Sequence, residues 1–386
     1  MTLLNRLFDV YIDLNIILAL TATLWLTARF LMARSGKKPA FSVQLGLLNG
    51  LFTLVLLSPI VVVLFLDLQA ADVVPRGYSV NLADYAVSRY LRGGIAIPAE
   101  DFQSLLGLRG RFTETVLTLS SPAGVAIASL LLVGSAFFTL RLCAGFVRLA
   151  RMLSACHHWR RSGNVSLLLS DTALVPFSAQ GLIRYYVVIP SDLLARPEDL
   201  KLVLKHEFQH LRQGDVAWEI GLEMLRPLFF WNPFYYLWKG EVERLRELAC
   251  DQKVTEGGKV DLKAYCLCLV RAAQSGFRKR TELRSPAQRP ADAASVALLD
   301  LRERFWRRSP SRKLHRRIEA LVDDRPQHSH RGLVCLAVLP LAGVVLLTAM
   351  SLQKPADWSQ DRLMLSAIVN LERLETINTL GQRPLR

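Results

Sequence analysis

Four apolar runs, near Ile12–Met32, Phe41–Leu66, Pro122–Leu142 and Leu333–Leu352, each reach the roughly 20 residues a helix needs to cross about 30 Å of hydrocarbon. In lipid every backbone N–H and C=O must be satisfied within the segment, so runs of this kind admit helices and little else. Composition agrees: hydrophobic residues make up 51% of the 386, and mean hydropathy is +0.25, high for a soluble domain. The first run is the least clean, with Asp9, Asp13 and Asn15 at its start and Arg29 near its end. Snorkelling to the interface is the expected accommodation. A cleaved signal peptide is the rival reading, but its N-terminal region holds only Arg6 and the apolar run is too long.

Basic residues set the orientation. The first link carries Arg34, Lys37 and Lys38 with no acid, whereas residues 67–119 mix Arg76, Arg89 and Arg92 with Asp72, Asp84, Glu100 and Asp101. The first link is therefore expected in the cytoplasm. Arg148, Arg151, Arg160 and Arg161 after the third run, and Arg325 and Arg331 before the fourth, place residues 148–331 there too. Both termini then lie outside. The expected organisation is a membrane region 1–147 with spans at 12–32, 41–66 and 122–142 and an external loop 67–119. A cytoplasmic domain 148–273, a basic linker with a helical segment 274–331, a fourth span 332–352 and a short external tail 353–386 follow.

The cytoplasmic stretch contains HEFQH, His206 to His210. A helix over Asp199–Arg212, opened by Pro197 and Glu198 and closed at Gly214, projects His206 and His210 from one face, so the two imidazoles can clasp one Zn²⁺. Glu207 sits beside them as a candidate general base for a water whose pKa the metal lowers. Two satisfied structural histidines are the bland reading. About 37 residues downstream of His210, ERLRELACDQKV carries Glu247 and Asp251 at i and i+4. Glu247 is the candidate third ligand, and Asp251 is expected to accept an imidazole N–H and fix its tautomer. A solvated charged face is the alternative, since Glu241, Glu243, Arg244 and Arg246 are close by. Asp215 reads as the cap of the next helix.

The stretches LVPFSAQGLIRYYVVIPSDLL, LKHEFQHLRQGD, FFWNPFYYLW and ELACDQKV, in this order over roughly residues 174–255, resemble the membrane-embedded zinc metallopeptidases of the BlaR/MecR type, antirepressor peptidases that act as β-lactam sensor-transducers. The resemblance implies an α-helical multi-pass membrane protein with a cytoplasmic α+β gluzincin-like domain, a short β-sheet packed against two zinc-bearing helices. It assigns zinc to His206, His210 and Glu247 and the catalytic base to Glu207. It further implies self-cleavage, for which Gln274–Ala294 and Arg307-Arg308 are candidate sites. The chain departs from the sensors after the fourth span, where about 34 residues follow Leu352, too few for a penicillin-binding domain. Direct antibiotic sensing is therefore not expected.

Val165–Leu169 and Tyr186–Ile189 read as short strands. Tyr185, Tyr186 and Val187 are candidate substrate-binding residues if their strand is an edge beside the metal helix; a plain core strand is the alternative. LFFWNPFYYLW, Leu228 to Trp238, reads as an interfacial belt or as a hinge with Pro233 opening a helix. The basic runs after Phe277 fit positive-inside bias and anionic lipid, and with no recognition-helix or RNA-binding signature no direct nucleic-acid partner is expected. Six cysteines in spans or cytoplasmic segments imply no disulfide framework. Leu363, Leu365, Ile368, Leu371 and Leu374 recur at near-helical spacing, as expected of an amphipathic tail helix that lies on the outer surface or meets a separate sensor.

The function expected is that of an integral zinc endopeptidase of a bacterial inner membrane, cutting a cytoplasmic protein, a winged-helix repressor, in signal transduction. Membrane-protein processing or quality control is one alternative and a non-proteolytic zinc-dependent relay another. A second copy of the chain is a further candidate partner.

Overall fold

In this computed structural model the residues described are 3–34, 40–71, 73, 81–181, 183–258, 260–282, 310–323, 331–352 and 360–381. Lys37, Lys38, Asp72, Arg76, Arg307, Arg308 and Arg325, invoked above for orientation or cleavage, lie outside them. The chain divides into two units, Met1–Leu31 with Asn49–Leu132 and Gly332–Arg386, and Met32–Leu48 with Val133–Arg331.

Among the described residues, three helices are long and apolar enough to cross a membrane: α1 (Leu3–Arg34), α2 (Phe41–Ala70) and α5 (Pro122–Ser154). Leu130, Leu132, Val133, Phe137 and Leu140 stand exposed around α5, an apolar surface that acyl chains solvate and water does not. In the first unit, Ile17, Leu18 and Trp25 of α1 and Leu51, Phe52 and Val55 of α2 are buried. Between α2 and α5 lie α3 (Leu82–Leu91) and α4 (Ala99–Thr118), and after α11 (Arg331–Ser351) comes α12 (Gln360–Gly381). Leu365 and Val369 of α12 pack with Val87, Ala99 and Phe102, so the tail helix forms as expected but docks on α3 and α4. Of its expected apolar stripe, Leu363, Ile368, Leu371 and Leu374 remain exposed.

The polar start of α1 is handled by pairing and not by snorkelling alone. Arg109 of α4 reaches Asp13 Oδ1 at 2.8 Å and Oδ2 at 2.9 Å, and donates to the Leu352 carbonyl at 2.6 Å. Thr113 donates to Asp9 Oδ1 at 3.0 Å. Buried carboxylates need such partners.

The second unit holds a four-stranded sheet of β1 (His157–Ser162), β2 (Val165–Ser170), β3 (Phe177–Gln180) and β4 (Tyr185–Pro190), in the order β1-β2-β4-β3. β2 and β4 run parallel, and the outer pairs are antiparallel. β2 and β4 match the expected apolar runs. β1 and β3 have no counterpart among the expected strands, since HHWRRS is exposed throughout and FSAQ is only four residues long. The edge reading of Tyr185, Tyr186 and Val187 is corrected: β4 is paired on both sides, and Val187 is fully buried.

Against the sheet lies α6 (Pro197–Gln213), with Leu167, Val187, Ile189, Leu193 and Val203 in one core. Pro at its first turn and Gly214 in the left-handed region, φ 70°, delimit it. α7 (Asp215–Phe229), α8 (Pro233–Thr255), α9 (Leu262–Glu282) and α10 (Pro310–Val322) complete the unit. Gln274–Glu282 of the expected cleavage loop is thus helical, and the remainder lies outside the described residues. The Asn-Pro break is a helix start: Asn232 Oδ1 caps Phe234 N–H at 3.0 Å and Pro233 opens α8. Phe230 meets Phe138 of α5, ring centroids 5.5 Å apart, while Trp231 is exposed. Cys250, Val254, Val260 and Tyr265 form a second core, onto which Leu321 of α10 packs.

Candidate metal centre

One helical turn brings the imidazoles of His206 and His210 to a ring-centroid separation of 4.6 Å, nearly perpendicular at 88°. His210 Nδ1 lies 2.7 Å from Asp215 Oδ2. His206 Nδ1 lies 2.9 Å from the Tyr265 hydroxyl, which itself donates to Asp251 Oδ1 at 2.7 Å and so can only accept from the ring. Both rings therefore carry their proton on Nδ1, the tautomer that frees Nε2 for a metal.

The two Nε2 atoms are 3.1 Å apart. Lone pairs turned on each other at that range repel unless something positive lies between them. Metal–nitrogen arms of about 2.0–2.1 Å at the tetrahedral angle hold two donors roughly 3.3 Å apart, so the pair is spaced as a metal ion requires. A proton is the other possible occupant. Burial lowers the His206 pKa to about 3 despite the neighbouring Glu247. Burial also pulls at His210, but its hydrogen bond to Asp215 and the charges of Glu247 and Glu207 outweigh it and raise that pKa. With shifts of opposite sign, His210 is the imidazole that takes up a proton first, and its Nε2–H would then donate across the 3.1 Å gap to His206.

Two residues compete as third donor. Glu247, on α8, places Oε1 3.8 Å from His210 Nε2 and Oε2 3.8 Å from His206 Nε2. Cys250 also clusters with the two histidines closely enough to share an ion. Its Sγ, however, lies 3.4 Å from His206 Nδ1, on the ring edge already taken by Tyr265. Burial, reinforced by Glu247 and Asp251, pushes the thiol pKa far up, whereas a metal needs the thiolate. For Glu247, burial acts upward, but Arg317, the two imidazoles and Arg246 hold its carboxyl below the ordinary range. The carboxylate is the donor that fits.

Glu207 is buried on α6, and its Oε2 accepts from Ser178 of β3 at 2.5 Å. Burial raises its pKa, with His210 and the Ser178 hydrogen bond opposing, the direction a proton acceptor near neutrality needs.

The structure amends two expectations. Asp251 Oδ1 is 3.4 Å from His206 Nδ1 and acts through the Tyr265 hydroxyl. Asp215 is not a cap: Gly214 holds that position with no side-chain bond, and Asp215 is spent on His210. Asp215 was legible as the first acid after the motif, but the helix start claimed it. Tyr265, Ser178 and Arg317 carry no local signal.

Residues 116–291 match the model of a family described as BlaR1 peptidase M56. The Regulatory protein BlaR1 of Bacillus licheniformis is 29% identical over 72 residues, 18% of this chain and 12% of that protein. The chain thus aligns with only a small part of its relative. The matched segment carries β1–β4, α6–α9 and the whole His206–His210–Glu247 group, and the match supports the BlaR/MecR-type resemblance of the motifs.

Proposed function

We propose that this chain is an integral membrane zinc endopeptidase that cuts a cytoplasmic protein, a transcriptional repressor being the substrate class, and so transmits a signal. The observation that carries the proposal is the pair of opposed Nε2 atoms with Glu247 facing both and Glu207 on the same helix. His206, His210 and Glu247 would hold the ion, in a gluzincin-like arrangement. Bound there, zinc would supply a water of lowered pKa and polarise the scissile carbonyl.

The chain's own residues do the rest. Glu207 takes one proton from the attacking water, whose oxygen bonds to the carbonyl carbon. As the C–N bond breaks, the same carboxyl returns that proton to the leaving amine. Ser178 orients Glu207 through its hydroxyl. The substrate strand adds to β3, the outer strand of the sheet next to the metal helix, a role that passes from β4 to Phe177–Gln180.

A cytoplasmic substrate is supported by the distribution of Lys and Arg. A fourth span over α11 is supported within the first unit: the Leu352 carbonyl at its end is held by Arg109, and α12 beyond it packs on α3 and α4. The apolar segment described there, Pro340–Ser351, continues a 21-residue helix.

Glu207→Gln is the test. The variant is expected to keep zinc and fold while peptide hydrolysis falls by about 10²–10⁴-fold, and His206→Ala to lose both. A relay needs the metal-bound shape alone, so normal signalling by Glu207→Gln would eliminate the protease reading.

A further inference from the structure

Arg317 belongs to α10, beyond residue 291 where the family match ends, yet its side chain lies in the metal centre. Nε is 2.7 Å from Asp251 Oδ2 and Nη2 is 2.7 Å from Asp251 Oδ1. Nη1 is 2.9 Å from Glu247 Oε2. One guanidinium thus spans both carboxylates of the ELACD turn, using its fork on one and its remaining arm on the other.

The consequences reach the two ends of the ligand set. Glu247 has a long side chain that is one-third exposed, and without a fixed partner its carboxylate would sample several rotamers. With Oε2 held by Arg317, Oε1 faces His210. Asp251 is almost wholly buried and also accepts from Tyr265, whose oxygen receives the His206 Nδ1–H. The guanidinium therefore fixes the third donor directly and the first imidazole through two hydrogen bonds.

We infer that Arg317 is a positioning residue of the metal centre, and that α10, donated by the basic segment after α9, completes a site whose ligands all lie on α6 and α8. The inference rests on the metallopeptidase reading above. Lysine in its place keeps a positive charge but lacks the planar fork that bonds both Asp251 oxygens while a third arm holds Glu247. Loss of an outer partner of a metal ligand typically costs about 10–100-fold in affinity.

The experiment measures zinc dissociation constants by competition with a chelating indicator, on the full chain in detergent. Arg317→Lys, Leu321→Ala and His206→Ala are compared with the wild type, with circular dichroism and unfolding midpoint recorded alongside. Leu321→Ala loosens the packing of α10 without touching either carboxylate. Expected are a wild-type-like fold for Arg317→Lys, a zinc dissociation constant raised about 10–100-fold, and a smaller change for Leu321→Ala. At saturating zinc, kcat should fall in Arg317→Lys with KM for a peptide little changed. An unchanged dissociation constant in Arg317→Lys, or an equal rise in both α10 variants, would overturn the inference and reduce Arg317 to a staple. A wild type that binds zinc no better than His206→Ala would instead overturn the metallopeptidase reading and this inference with it.

Discussion

Asp215 and Glu247 stand on opposite sides of His210, and their division of labour gives two predictions. The Asp215 carboxylate holds the Nδ1 proton at 2.7 Å. Asp215→Asn removes its charge and should weaken zinc binding by about 10–100-fold while leaving the helix intact; an unchanged titration isotherm would make Asp215 a mere helix-terminus residue. The second prediction concerns pH. Without metal, the His210 pKa is raised, its burial outweighed by Asp215, Glu247 and Glu207. Below that raised pKa zinc must displace a proton, and above it none. Apparent affinity should therefore fall as pH drops through and below the usual imidazole range, by about tenfold per unit for one displaced proton, and level off on the alkaline side. A flat profile from pH 5.5 to 8 would mean that no proton occupies the gap between the two Nε2 atoms.

At the scale of elements, the turn between α6 and α7 matters most, because it ends the helix carrying both histidines and begins the one carrying Asp215. Gly214 adopts φ 70° there with no heavy atom near a hypothetical Cβ, so Gly214→Ala meets only backbone strain, roughly 1–2 kcal/mol. The unfolding midpoint should fall accordingly, and zinc affinity with it as Asp215 is displaced. The Arg109 junction is the counterpart in the other unit, tying α4 to Asp13 of α1 and to the end of α11. Arg109→Ala strands partly buried carboxylates and should cost roughly 2–4 kcal/mol, somewhat below a fully buried pair. Limited proteolysis would then cut earlier near α12; an unaltered digestion pattern would count against the junction.

For the whole molecule, the prediction is topological. Reporter fusions after Lys38 and within residues 274–294 should read cytoplasmic, and fusions within residues 73–108 and after Lys354 external. An external signal from 274–294 would remove the cytoplasmic substrate. What the sequence determined by itself was local or periodic: the apolar runs, the helix carrying His206, Glu207 and His210 between Pro197 and Gly214, the facing of Glu247 and Asp251, and the apolar strands β2 and β4. Each follows from spacing along a few turns or from side-chain chemistry within reach of its own backbone. Tertiary structure alone decided the rest. Strand order made β4 interior and β3 the edge, since FSAQ forms a strand only by pairing with Tyr185–Val188. Packing turned Asp215 toward His210 and brought Ser178, Tyr265 and Arg317 to the centre from separate elements. A buried charge takes whichever partner the fold delivers within hydrogen-bond distance, and that choice leaves no periodic trace in the chain.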